Sequence, residues 1–237
     1  MGKITAVMQR ELLALFCSPV AYIVIAGFLL ITGVLAMEAF QPGRPATLRV
    51  VFGFAPYVLA IVVPAISMRA ISEEYRSGTI EALMTTPVSD AQVVLGKYLA
   101  SLAFYLIMLA TTLVYLVLML AFGAPDLGAA LASYVGLALL GAAFVAVGIF
   151  ASSLTRNQIV AWMVAAVPLI MFVWFSGFLV GRLEGVWRNA FQRVDINWHL
   201  DLFNRGSIAT DSVVFFLGTA VLFVFLAVKV VESRRWR

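Results

Sequence analysis

Six long runs almost free of charge divide this sequence: 20–37, 50–68, 98–122, 127–154, 157–180 and 212–231, with Lys229 the one Asp, Glu, Lys or Arg inside them. Each is near or above the roughly 20 residues that a helix needs to cross the hydrocarbon core of a bilayer. A backbone crossing lipid must satisfy its own amides and carbonyls, which leaves helices as the solution for runs of this length. The chain is 63% hydrophobic and 12% charged, with a mean hydropathy of +1.04, whereas a soluble domain is about half apolar. The expected fold is therefore all-α and integral to a membrane, with six transmembrane helices in one 237-residue domain.

The segments between the runs carry the remaining information. Residues 1–18 place Ile4, Val7, Met8, Leu12, Leu15 and Phe16 at helical spacing, with Lys3, Arg10 and Glu11 among them. That pattern predicts an interfacial helix on the membrane surface. Pro19 opens the first span, and Pro42-Gly43 turns the loop that holds Glu38, Arg44 and Arg49. Pro56 and Pro64 lie inside the second span, where they bend a helix. Gly123, Ala124 and Pro125 break the third, and Asp126 is placed to cap the fourth. The fourth is rich in small residues (Gly128, Ala132, Gly136, Gly141, Ala142, Gly148), so it is expected to pack against other helices rather than lipid. Thr155 with Gln158 has the capping-box pattern and would start the fifth span at once. Residues 181–210 form a polar segment interleaved with Trp187, Phe191, Trp198 and Phe203, read as short helices on the outer surface. Asp211 would then cap the last span.

The longest charged segment, 69–97, sits between the second and third spans. Ile80, Leu83 and Met84 recur at helical spacing, which predicts a short amphipathic helix along one membrane face. Pro87 stops it. Ser89 followed by Gln92 is a second capping-box pattern, restarting a helix at about Asp90 that runs through Gly96 and Lys97 into the third span.

Glu73, Glu74, Arg76, Ser77, Gly78, Thr79, Glu81, Leu83, Pro87, Gly96 and Lys97 resemble the signature E-x-x-x-G-T-x-E-x-L-x-x-x-P, followed by G-K, of ABC-2-type transporter permeases. Ser152-Ser153-Leu154-Thr155-Arg156-Asn157-Gln158 and Asn204-Arg205-Gly206-Ser207-Ile208, leading to Asp211, are similar to the gliding-motility-type permeases, with the permease of nitrous oxide reductase maturation a more distant likeness. The likeness covers essentially the whole chain. It implies the transmembrane permease subunit of an ABC transporter complex in a bacterial inner membrane, without catalytic activity of its own. Segment 69–97 is then a coupling segment whose helix docks on a separate ATPase subunit. Its coupling residues would be Glu73, Glu74, Arg76, Gly78, Thr79, Glu81, Leu83, Pro87, Gly96 and Lys97. ATP and Mg would be bound by that ATPase, a second permease copy or a similar permease would complete the complex, and an auxiliary extracytoplasmic protein could dock on 181–210. A retained first span is also implied, against the competing idea of a signal peptide.

Other chemistry is poorly provided for. Gly96-Lys97 is followed by Tyr98, not by the Ser or Thr of a phosphate loop. Cys17 is the single cysteine, so no internal disulfide forms. His199 is the single histidine and reads as structural, and the scattered methionines read as gap-fillers. Paired acids or a Ser/His pair within spans, which an intramembrane enzyme requires, are missing from the sequence. No basic stripe recommends nucleic acid. With the N-terminus cytoplasmic, ten of the sixteen Lys and Arg fall inside and 69–97 faces the cytoplasm, in accord with the positive-inside rule. Spacing alone leaves open a solvated loop in 69–97, and with it a passive scaffold or channel subunit that couples to no ATP.

Overall fold

The computed structural model describes residues 2–37, 47–78, 89–123 and 125–235. Among them all regular structure is helical. Helix α1 (Lys3–Phe16) precedes the first span, α2 (Pro19–Met37); α3 (Arg49–Ser67) is the second span and leads through a turn into the six-residue α4 (Ser72–Ser77). The third span is made of α5 (Asp90–Thr111) and α6 (Leu113–Phe122). Then follow α7 (Leu127–Leu154), α8 (Gln158–Arg182), two short helices, α9 (Gly185–Gln192) and α10 (Ile196–Asn204), and α11 (Thr210–Arg235). Six helices are long and apolar enough to span a membrane, as the hydropathy of the sequence requires.

Helix α7 is the axis of the bundle. Of the residues in its apolar centre 72% are buried, against 22% in α2 and in α11, and it touches α3, α5, α8, α10 and α11. Its glycines make this possible. A methyl group on Gly141 would overlap the ring of Tyr105 of α5, and one on Gly148 would overlap the Ser67 hydroxyl of α3. Tyr105, lying on Gly141, donates to the Leu137 carbonyl at 2.7 Å, so the closely packed ring is also hydrogen-bonded. Asp126 caps α7, its Oδ1 accepting from Gly128 N at 3.0 Å and Ala129 N at 3.2 Å.

The third span runs over 90–122 as expected, with a one-residue turn at Thr112, whose hydroxyl donates to the Leu109 carbonyl at 2.7 Å and lies 3.2 Å from Tyr134 Oη, while Tyr134 donates to the Thr112 carbonyl at 3.0 Å. A threonine bonding back to its own helix competes with the backbone ladder and bends it. Two expectations need correction. The Thr155/Gln158 capping box does not form, because α8 begins at Gln158. Asn157 is the cap instead, accepting from Ile159 N at 2.9 Å. Helix α11 starts at Thr210, which puts Asp211 in the first turn rather than at the cap.

The segment after α8 divides in two. Helix α9 has no buried residue and leaves Trp187 exposed, as a surface helix should. Helix α10 instead inserts Ile196, His199, Leu200 and Phe203 into the bundle end, with Phe203 lying over Gly136 of α7. Aromatic spacing alone could not separate Phe203, an interior plug, from Trp187. His199 is structural, stacked on Phe215 with ring centres 4.5 Å apart. Its Nδ1 lies 2.8 Å from Ser212 Oγ and its Nε2 3.0 Å from the Arg193 carbonyl.

Candidate functional site

The described part of the 69–97 stretch is built around α4, SEEYRS. Two acids in its first turn and Arg76 in its last suit the helix dipole. It ends at Gly78, where φ is +73°, a left-handed conformation that glycine adopts without strain. Its start is fixed from α7: Ser152 Oγ accepts from both Ile71 N and Ser72 N at 3.0 Å and donates to the Met68 carbonyl at 2.9 Å. One serine thus satisfies the backbone where the second span turns away from its axis.

On the far side, the Ser89–Gln92 capping box opens α5, with Gln92 N donating to Ser89 Oγ at 3.3 Å and Ser89 N donating to Gln92 Oε1 at 3.1 Å. Two turns on, Gly96 lies against α1: a Cβ there would stand 2.7 Å from Val7 Cγ1 and 3.2 Å from the Ile4 carbonyl. The next residue, Lys97, has a side chain only 1% exposed, and its Nζ lies 2.8 Å from Glu74 Oε1 and 3.1 Å from Glu11 Oε1. Arg10 completes the group, 2.7 Å from Glu11 and 3.4 Å from Glu74. Two cations and two anions balance, as buried charges must if their desolvation is to be offset. Glu74 Oε2 is buried with no hydrogen-bond partner.

Burial pushes the Glu11 carboxyl up, but the charge of Lys97 and the hydrogen bonds from Arg10 and Lys97 outweigh it and hold the group below its ordinary value. The hydrogen bond to Glu11 raises the Arg10 guanidinium above its own.

Two further contacts tie in the neighbours. Arg69 pairs with Glu73 at 3.0 Å and donates to Ser18 Oγ at 2.7 Å, between α1 and α2. Arg234, near the end of α11, stacks over the Tyr75 ring at 4.7 Å and donates to the Leu154 carbonyl at the end of α7. Helix α1, α4 and the end of α11 therefore meet at one face of the bundle. A cleft of about 70 Å³ beside the charges, lined by Glu11, Arg69, Glu73, Lys97 and Ser101 among others, is far smaller than the roughly 300–1,000 Å³ of a ligand pocket.

Of the coupling residues named from the sequence, Glu73 and Arg76 lie on the accessible part of α4 and Gly78 is exposed at its end. Glu74, Gly96 and Lys97 turn inward and meet one another or α1. Thr79, Glu81, Leu83 and Pro87, with the amphipathic helix expected around them, lie outside the described residues. Glu11 was not singled out from the sequence as a partner for this stretch. A signal for it exists: Ile4, Val7 and Glu11 follow one helical stripe, which puts a carboxylate on the face that packs.

Six apolar spans with a polar cluster at one end define a multi-pass membrane protein. The chain belongs to the ABC-2 family of transporter proteins, which matches residues 25–231. It is also similar to the "Probable multidrug ABC transporter permease YbhS" of Escherichia coli K12, with 26% identity over 200 residues, covering 79% of this chain and 52% of that protein. The protein of the same name from Escherichia coli O157:H7 matches at the same identity and coverage. The chain spans about half the length of the curated relatives it matches.

Proposed function

We propose that this chain is the non-catalytic permease subunit of an ABC transporter complex, in which a separate ATPase subunit, binding ATP and Mg, drives export of a substrate or mechanical work across a bacterial inner membrane. Family membership supports the class, and the name of the Escherichia coli relatives, a multidrug permease, supports transport. The observation that carries the coupling reading is the ion pair between Lys97 and Glu74, 2.8 Å long. It joins the two arms from which segment 78–89 is suspended. A push on that segment is then delivered to α3 and α5 together rather than absorbed by a loose loop. Glu73, Arg76, Thr79, Glu81 and Leu83 are assigned the contact with the ATPase; Gly78 and Pro87 shape the segment; Glu74, Gly96 and Lys97 stiffen its root.

In this reading α1 lies along the cytoplasmic membrane face, both ends of the chain are cytoplasmic, and α9 lies on the outer surface, where an auxiliary protein would dock. A dimer of this chain, or a pair with a similar permease, completes the complex, because six spans are half of what two ATPase subunits drive. The motifs around Ser152 and Asn204 favour a gliding-motility-type permease.

The test compares ATP hydrolysis by the purified complex with that of a complex whose residues 78–87 are replaced by a flexible linker. Loss of assembly or of regulated hydrolysis is expected. A stable complex with unchanged regulation overturns the reading in favour of a passive scaffold.

A further inference from the structure

Helix α11 runs from Thr210 to the polar face, where Arg234 meets α4, so its first turn lies at the opposite end of the bundle. There α9, α10 and the start of α11 enclose a cavity of about 570 Å³, within the roughly 300–1,000 Å³ of a small-molecule site. Its wall carries two opposite charges that do not meet. Arg193, just past α9, and Asp211, in the first turn of α11, both line it. Among the described residues neither side chain has an ion-pair or hydrogen-bond partner, and the ion pair of this end joins Arg205 to Asp201 instead.

His199 stands between the two charged residues. Its Nε2 lies 3.0 Å from the Arg193 carbonyl and its Nδ1 2.8 Å from the hydroxyl of Ser212, the neighbour of Asp211. The buried imidazole thus fixes the spacing of the backbones that carry the charges, with the cavity left open beside it. Opposite charges held apart around a cavity are complementary to a ligand that carries both signs.

The rest of the wall narrows the class. Trp198 and Phe215 present aromatic surface, which attracts an ammonium group, tryptophan most strongly. Asn189 and Gln192 add amide donors and acceptors. Leading away from the cavity, α11 exposes an apolar stripe: Val214, itself part of the wall, is followed at intervals of three and four residues by Leu217, Val221 and Phe225. A ligand with its polar part between Arg193 and Asp211 and its apolar part along this stripe has the shape of a zwitterionic phospholipid. A guanidinium matches a phosphate by paired hydrogen bonds. The Asp211 carboxylate accepts the N–H donors of a primary ammonium, and a choline headgroup has none to give. A headgroup with phosphate alone would satisfy Arg193 but set its charge against Asp211.

We propose that this cavity is a phospholipid site selective for a headgroup with a phosphate and a primary ammonium, Arg193 binding the first and Asp211 the second. The bound lipid joins α9 to α11 and steadies a surface helix that has no buried residue of its own. This goes beyond the transporter reading and does not depend on it.

The full chain, purified in detergent, is titrated with phosphatidylethanolamine, phosphatidylglycerol and phosphatidylcholine, and bound lipid is counted by native mass spectrometry. Free glycerophosphoethanolamine serves as competitor. A hydrogen bond to a charged group is worth a factor of about 10–100 in binding. Phosphatidylethanolamine should therefore bind at least about tenfold more tightly than the other two, and Arg193→Gln should weaken it about 10–100-fold. Asp211→Asn should erase the preference over phosphatidylglycerol. Because neither side chain holds the fold, both variants should keep the wild-type thermal midpoint without added lipid, which separates lost binding from lost folding. Hydrogen exchange over α9 should slow with phosphatidylethanolamine in wild type and not in Arg193→Gln.

Equal binding of the three lipids overturns the proposal and leaves an unselective lipid coat. So does unchanged phosphatidylethanolamine affinity in Arg193→Gln, or an unchanged preference in Asp211→Asn. Competition by the free headgroup at the concentrations at which the lipid binds also overturns it, because the ligand is then a soluble zwitterion. No ATPase subunit enters these measurements, so their failure leaves the coupling reading untouched.

Discussion

Replacing Ser152 by alanine should loosen α4 selectively. The hydroxyl accepts from Ile71 N and Ser72 N, both at 3.0 Å, in a place where Ser152, Ile71 and Ser72 are all buried. The Met68 carbonyl, which Ser152 also serves, keeps a second donor in the Ser72 hydroxyl. The substitution thus orphans two amides and no carbonyl. A buried unsatisfied donor costs about 1–3 kcal/mol, so two cost about 2–6 kcal/mol, with Ala filling nearly the same space. Since about 1.4 kcal/mol corresponds to a factor of ten, amide protection at Ile71 and Ser72 should fall about 30-fold or more in local opening. The assay is site-resolved hydrogen exchange in detergent or nanodiscs. Ser152→Cys, similar in volume but a weak acceptor, should fall between wild type and alanine. A loss of protection below about threefold in Ser152→Ala would refute the claim that this hydroxyl anchors α4.

Other consequences follow from the same packing. Gly141→Ala should lower the unfolding midpoint, because the new methyl group must displace the Tyr105 ring, an overpacking that costs about 1–3 kcal/mol; thermal unfolding of the purified chain measures it. Glu11 contributes stability that is fully present above its ordinary value of 4.5 and is lost as pH falls through its depressed folded value. Acid unfolding curves of wild type and Glu11→Gln should therefore differ above that window and converge below it. His199→Ala should destabilise the end of the bundle where α10 inserts by about 2–4 kcal/mol, since it removes two hydrogen bonds and a stacked ring. Zinc or copper should leave the wild-type midpoint unchanged, because both ring nitrogens are already engaged.

The spans were legible because lipid imposes a length and a composition that survive any packing arrangement. The Ser89–Gln92 and Asp126 caps were legible because a cap depends on neighbours within three residues. What failed to show was set by distant partners. Lys97 looks like an accessible charge until Glu11, far away in sequence, is brought to 3.1 Å. The turn at Thr112 depends on Tyr134 of another helix, and Phe203 counts as interior only because Gly136 leaves room for its ring. In segment 69–97 the resemblance named positions but could not say which of them look outward and which are consumed inside the chain.

The turn at Thr112 bears on how far any motion at the polar face can reach. A continuous rod tilted at one end swings its other end by a comparable angle. The third span is jointed there, and Tyr134 holds the joint by its hydrogen bond to the Thr112 carbonyl. A sideways swing of α5 can then be taken up as bending at Thr112, leaving α6 in place, while a thrust along the axis passes through. A thrust along the axis of α5 is therefore expected to reach α6 more fully than a sideways swing does.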